Sequence, residues 1–364
     1  MTQSAHDISV IICAYTEDRW NELVAAVDSL RQQTLPPKEI IIVIDRNPSL
    51  LLRVRKNLLG VVAIENCEAK GASGARNSGV AVAQGTVVAF LDDDAIAQPD
   101  WIENLAACYT SPQVVGVGGK IEPLWSGSCP SWFPDEFNWV IGCTYRGMPT
   151  KNTPVRNVIG ANMSVRSHTL TTVGGFRESF GNNKGASMAH ASSRWLHHHA
   201  GDEETEFCIR VTQQLPGSVW LYTTSAVVQH QVPIQRMCWS YFLWRCYDEG
   251  LGKAGLVRLH GAQTGLSSER TYTSRVLPRG VARGLTDALL HDDLAGLARA
   301  GAIVIGLTMT AVGYLVGSIF PQIAALRNTA TTSVPHRHTS KTPLPIETQQ
   351  QGREADLRKA IDHA

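Results

Sequence analysis

The chain has 364 residues, with 33 Lys and Arg against 32 Asp and Glu, a formal net charge of +1. That balance gives no electrostatic reason to expect nucleic acid as a partner. The 43% apolar fraction supports a sizeable core, in two domains or in one large domain with appendages. The 8 cysteines stand singly, without a CxxC pair or zinc spacing, which argues against a disulfide framework or a structural metal. The stretch Met1 to Asp7 is short and polar, so no secretory signal is read there and the catalytic part is expected in the cytosol.

The first half alternates strand and helix patterns. Ile8 to Cys13 is a β-branched apolar run, read as a buried strand, and Leu23, Val27 and Leu30 mark one helix face. Glu39 to Ile44, Val61 to Ile64 and Val87 to Leu91 are further strands, with a small-residue helix over Gly71 to Ala83. Asp100 with Glu103 has the form of a capping box opening the next helix. Val114 to Val117 is a fifth strand, and the alternation implies βαβ units and a parallel sheet. Farther on, Val155 to Val165 reads as one strand and Gly181 to Gly201 as a loop. Glu203 to Gln214 reads as a helix, Val219 to Thr223 and Ala226 to Val228 as short strands, and Ile234 to Glu249 as an aromatic helix. From Asn328 the composition predicts a disordered tail.

Chemistry-bearing residues gather at strand ends or just beyond. Ala14-Tyr15-Thr16-Glu17 follows the first strand and Asp45 the second. Lys70-Gly71 with Arg76 follows the third, and Asp92-Asp93-Asp94 ends the fourth. A lone Asp at a strand end is usually a turn residue. The four together suit a nucleotide site, where acids accept from base or ribose, an aromatic stacks, and a cation sits between acids and a diphosphate.

These segments, with Gly74-Ala75-Arg76-Asn77-Ser78-Gly79, resemble the donor-binding half of family 2 inverting glycosyltransferases with the GT-A fold. Gly160-Ala161-Asn162-Met163 with Val173-Gly174-Gly175-Phe176 is similar to that family's acceptor-side segment. Glu203-Glu204-Thr205-Glu206 is similar to its Glu-Asp catalytic motif, in the form seen in members like dolichyl-phosphate-glucose glucuronosyltransferases. The resemblance covers about Ile8 to Gly250 and implies a Rossmann-like, mostly parallel sheet with flanking helices.

The same resemblance implies roles. Ala14, Tyr15, Glu17, Asp45, Lys70, Gly71, Arg76, Asp92 and Asp93 would bind the nucleotide-sugar donor, with Asp45 accepting from the base, uracil in a UDP-sugar. Asp94, Asp92 and His230 would hold Mn2+ or Mg2+, and His230, Arg236 and Arg245 would face the diphosphate. Asp93 should point away, since alternate residues of an extended chain face opposite sides. Gly160, Asn162 and Trp139 would lie with the acceptor, a lipid-linked molecule or a saccharide. Glu204 aligns with the general base; Glu stands where Asp is commoner, so Glu203 or Asp202 remain alternatives. A sugar-phosphate nucleotidyltransferase and a non-catalytic nucleotide-sugar-binding protein are the competing readings. The first lacks its Gly-rich loop and lysine between Ala14 and Trp20, and the intact acid set disfavours the second. The run His197-His198-His199 is read as loop composition, because consecutive side chains diverge.

Ala300 to Phe320 carries no charged residue and lies between Arg299 and Arg327. It is expected to span or associate with a membrane, with Gly313 and Gly317 allowing close helix contact. Arg275, Arg279, Arg283 and Arg299 before it place the catalytic part at the cytoplasmic face. The resulting division is a donor half over 1–120, an acceptor and catalytic half over 121–255, a helical region over 256–327 and the tail over 328–364.

Overall fold

In the computed structural model of the chain, residues 7–178 and 202–320 are described. The expected loop with His197-His198-His199 and the tail from Asn328 lie outside them. Strands β1 (Ile8–Ala14), β2 (Glu39–Ile44) and β4 (Val87–Asp92) are apolar runs buried on both faces. They form a parallel ladder with β3 (Val62–Glu65) in the order β3-β2-β1-β4. Helices α1 (Trp20–Arg31), α2 (Pro48–Asn57) and α3 (Ala72–Val82) are the crossovers that parallel pairing requires. Helix α2, absent from the expectation, is started by Asn47, whose side chain accepts from the Leu50 amide at 3.0 Å, and by Pro48 in its first turn.

Beyond β4 the sheet becomes mixed. A three-residue strand β5 (Ala95–Ala97) precedes α4 (Trp101–Ala106), and β6 (Val114–Trp125) runs through residue 120 without a break. The expected strand over 155–165 is two strands, β7 (Thr153–Val155) and β8 (Asn162–Arg166). The residues between them hold Asn157 against Thr205 and Gly160 against Glu204. Strand β8 is antiparallel to both β4 and β6. Helix α5 (Ser167–Val173) ends at Gly174, which takes φ 89°. After α6 (Glu203–Gln214), the two short strands expected near 219–228 are one, β9 (Val219–Val232), pairing with β5, β6 and β7. The capping box is also corrected: Asp100 makes no side-chain cap, and Glu103 accepts from the Thr34 hydroxyl instead.

The aromatic helix extends past Glu249, giving α7 (Trp239–Gly265) with a break at Gly261. A short α8 (Ser267–Thr271) leads to α9 (Leu277–Leu290) and α10 (Ala295–Ile319). Helix α10 is the one helix among the described residues long and apolar enough to cross a membrane, with mean hydropathy 1.9. Gly313 and Gly317 do permit close contact, but within this chain: Gly313 lies against the Tyr247 carbonyl and Gly317 against Ala254 and Leu251, all of α7.

Candidate active site

Parallel pairing brings the carboxyl ends of β1, β2 and β4 to one sheet edge. Ala14 stands opposite Ile44, just before Asp45, and Cys13 stands opposite Asp92. Ligands of open α/β sheets bind outside such an edge. The chain then turns at Asp93 and Asp94 into β5, whose Ala95 pairs with His230 of β9. The Gln231 amide donates to the Asp94 carbonyl at 2.9 Å, locking that register. This non-local pairing places an imidazole beside two carboxylates.

One ligand atom each from Asp92, Asp94 and His230 lies within 4.8 Å of the others. His230 Nε2 is 3.1 Å from Asp94 Oδ1 and 3.8 Å from Asp92 Oδ2. Asp93 is turned elsewhere, with Oδ1 2.8 Å from Arg19 Nη1. The same Arg19 nitrogen is 3.1 Å from Asp94 Oδ2, and Arg236 Nη2 is 3.8 Å from that oxygen. Burial works to raise the Asp94 carboxyl, but His230, Arg19 and Arg236 outweigh it and hold it well below the usual range. Asp93 has fewer cations: burial pushes it up to about 7 against the pull of Arg19, with Asp94 adding to the rise. Burial works to lower His230, but contact with Asp94 holds it well above its ordinary value.

The second cluster opens α6. Acids in a first helical turn are favoured by the exposed amides there, yet these are buried, which a solvated cap would not be. Glu203 Oε1 is 2.8 Å from Arg76 Nη1, and Glu204 Oε1 accepts from the Gly160 amide at 3.1 Å. The second oxygens of both, Glu203 Oε2 and Glu204 Oε2, are buried with no hydrogen-bond partner among the described residues. Burial pushes Glu203 up to about 8, Glu204 adds to the rise, and Arg76 opposes it. Arg76 stays charged, since Glu203, Glu204 and Asp92 outweigh its desolvation. One buried guanidinium thus sits within electrostatic reach of both acid clusters. Glu206 has a different duty: fully buried, it pairs with Nε and Nη2 of Arg210, which also donates to the Val173 carbonyl through Nη1 and to the Gly175 carbonyl through Nη2.

The other expected residues fall in several places. Tyr15 is partly exposed, with the Arg19 guanidinium 5.8 Å from its ring centroid. Glu17 pairs with Arg53 at 3.2 Å. Asp45 accepts from the Asn66 amide at 2.8 Å and the Gly71 backbone at 2.9 Å, and Lys70 is exposed. Asn162 is fully buried; it accepts from the Trp101 indole at 2.8 Å and donates to the Lys120 and Ala226 carbonyls, so its side chain is used in the core. Trp139 donates to the Tyr272 hydroxyl at 3.0 Å and packs on Phe137. Arg245 pairs with Asp248 on its own helix at 3.0 Å. Asp202 reaches α7, with its carboxylate against Gly252. Arg19 was not expected in the site; its only sequence signal is a place just past the first strand.

The profile of glycosyl transferase family 2 matches residues 9–172. A glucosyl-dolichyl phosphate glucuronosyltransferase of Haloferax volcanii is 30% identical over 325 residues, 88% of this chain and 99% of that protein. A pre-mycofactocin glycosyltransferase of Mycobacterium tuberculosis is 26% identical over 180 residues, 49% of this chain and 34% of that one. The fold is similar to that of the mannosyltransferase PcManGT from Pyrobaculum calidifontis, solved in complex with GDP-Man and Mn2+. The TM-score is 0.51 at 16% identity, covering 84% of this chain and 86% of that one, so the likeness speaks for a GT-A-like fold. Similarity along nearly the whole length of the haloarchaeal relative, joined to the family match over the β1–α5 region, makes this chain a glycosyltransferase that belongs to glycosyl transferase family 2.

Proposed function

We propose that the chain is an inverting glycosyltransferase that uses a divalent cation to move a sugar from a nucleotide-sugar, a UDP-sugar by preference, to a hydroxyl of a lipid-linked acceptor. The observation that carries this reading is the pair of acid clusters, Asp92 and Asp94 with His230 on one side and Glu203 and Glu204 on the other, with Arg76 in reach of both. Two carboxylates and an imidazole within 4.8 Å are a donor set that suits Mn2+, and Mg2+ less well because of the nitrogen. A cation held there would act as a Lewis acid toward the departing diphosphate.

The chain's own residues do the rest. Glu204, oriented by the Gly160 amide, takes the proton from the acceptor hydroxyl as that oxygen attacks the anomeric carbon. Glu203, raised to about 8, keeps its proton at neutral pH and is thereby the weaker candidate for the base. Arg76, Arg19 and Arg236 supply fixed positive charge where negative charge accumulates on the leaving group. Tyr15 and Asp45, at the edge of β1 and β2, hold the base and ribose. The lipid-linked acceptor is supported by the name of the haloarchaeal relative, which acts on a glucosyl-dolichyl phosphate. Such an acceptor puts the site beside a membrane, and the exposed Arg270, Arg275 and Arg279 suit the anionic surface of its cytoplasmic leaflet.

Glu204→Gln should lower transfer by about two to four orders of magnitude while UDP and Mn2+ still raise the melting temperature. Full activity in that variant would sink the assignment of the base. The same thermal measurement with UDP- and GDP-sugars decides the nucleotide.

A further inference from the structure

We propose that the α9–α10 hairpin is an in-plane docking surface for a lipid bilayer, with α10 lying along the membrane instead of crossing it. The proposal rests on the membrane-proximal reading above and specifies its geometry.

One side of α10 is occupied along its length, first by α9 and then by the catalytic unit. Gly296 and Ala300 meet Gly284 of α9, and Ile303 meets Gly280. Gly306 lies against Phe137 and Phe242, Gly313 against Tyr247, and Gly317 against Leu251 and Ala254. Arg258 of α7 donates to the Gly317 carbonyl at 2.8 Å. Helix α7, on which α10 rests, carries Arg245, Asp248, Glu249 and Lys253. A helix that crosses a bilayer meets hydrocarbon over about 30 Å. Threading α10 through would either strip it from α7 or drag those charges into hydrocarbon, which disfavours them strongly.

The other side is bare. Leu297, Val304, Val312, Leu315 and Ile319 are exposed and recur at helical spacing along one stripe. At the hairpin turn, Leu289, Leu290 and Leu294 are each at least 75% exposed. Between Ala300 and Phe320 there is no charged residue, and the stripe itself holds no aromatic side chain of the kind that anchors protein–protein interfaces. A mainly aliphatic stripe, whose exposed Thr308 hydroxyl bonds back to the Val304 carbonyl, instead suits acyl chains, which need no polar partner. Exposed Arg270, Arg275 and Arg279 in the segment entering the hairpin complement anionic headgroups. An amphipathic element with one side held by protein and one side aliphatic lies in the interface plane.

Flotation of the purified full chain with mixed phosphatidylcholine and phosphatidylglycerol vesicles tests this. The wild type should float and be released by alkaline carbonate. A triple variant, Leu297→Ser, Val304→Ser and Leu315→Ser, should bind at least about tenfold more weakly. Its melting temperature and its Mn2+-dependent hydrolysis of a UDP-sugar in solution should match wild type. Failure of the wild type to float would overturn the proposal. So would resistance to carbonate with a protease-protected segment, which marks a spanning helix, or a solution dimer that does not float and that the triple variant dissolves. Normal flotation without sugar transfer would support docking and count against the proposed function instead.

Discussion

A methyl group added at Gly160 would lie 2.9 Å from Arg76 Nη2 and 3.1 Å from Glu204 Oε1, closer than those side chains tolerate without moving. The glycine therefore sets where the guanidinium and the carboxylate stand. Gly160→Ala should lower kcat by about tenfold to a hundredfold, since small displacements of a reacting group cost that much. Donor affinity, measured by titration with UDP, should fall by less than kcat does, through the displaced Arg76; a fall in affinity with normal kcat would contradict this. Glu203 invites a different measurement. Its ordinary value is 4.5 and its folded value about 8, because burial disfavours the anion. Between those values the folded state keeps a proton that the unfolded chain has released. The stability this contributes is full below about pH 4.5 and is lost as the pH rises through about 8. The melting temperature of wild type should therefore fall from pH 5 to pH 8 relative to Glu203→Gln, and parallel curves for the two proteins would refute the shift.

Elements that could be read from sequence were those whose signal is local. Ile41, Ile42 and Val43 are wholly buried, and a run apolar at every position says so without knowledge of partners. The Glu203–Gln214 helix was equally plain from its acidic first turn and apolar spacing. Direction and pairing were not plain. Val158, Ala161, Met163 and Val165 are all buried, yet only the last two belong to a strand, because buried irregular chain and buried strand share one apolar pattern. Strand β5 is three residues long and exists because β9 pairs with it. The glycines of α10 signalled close helix packing correctly but not with which helix. Gly313→Val would drive a side chain into the Tyr247 carbonyl, so α10 should part from α7. Limited proteolysis should then cut the turn at residues 291–294 faster than in wild type, and an unchanged cleavage rate would show that the contact is dispensable.

Across the whole molecule, the acids were legible because they are contiguous, while their surroundings were assembled by folding. Asp92 and Asp94 stand within three residues, and His230 comes to them from more than a hundred residues away through β9, which pairs with β5 at Ala95 and with β6 at Pro123. Arg19 and Arg236 approach Asp94 from either side of the chain, and neither sits in a motif. Arg245, on the following helix, pairs with Asp248. The pairing of β5 with β9 has a consequence for how this chain can change length. Successive residues of a strand face opposite sides, so a shift of one position turns every side chain over. A residue inserted between Asp94 and Ala95 would leave all three ligands in the sequence but slip Asp92 and Asp94 against His230, which β6 holds in place opposite Pro123, and the Mn2+-induced rise in melting temperature should vanish while the fold persists. Insertions in the turn at residues 291–294 carry no such restriction. The three residues from Ala95 to Ala97 act as a ruler, and variants of this chain should be free to substitute along it but not to lengthen or shorten it.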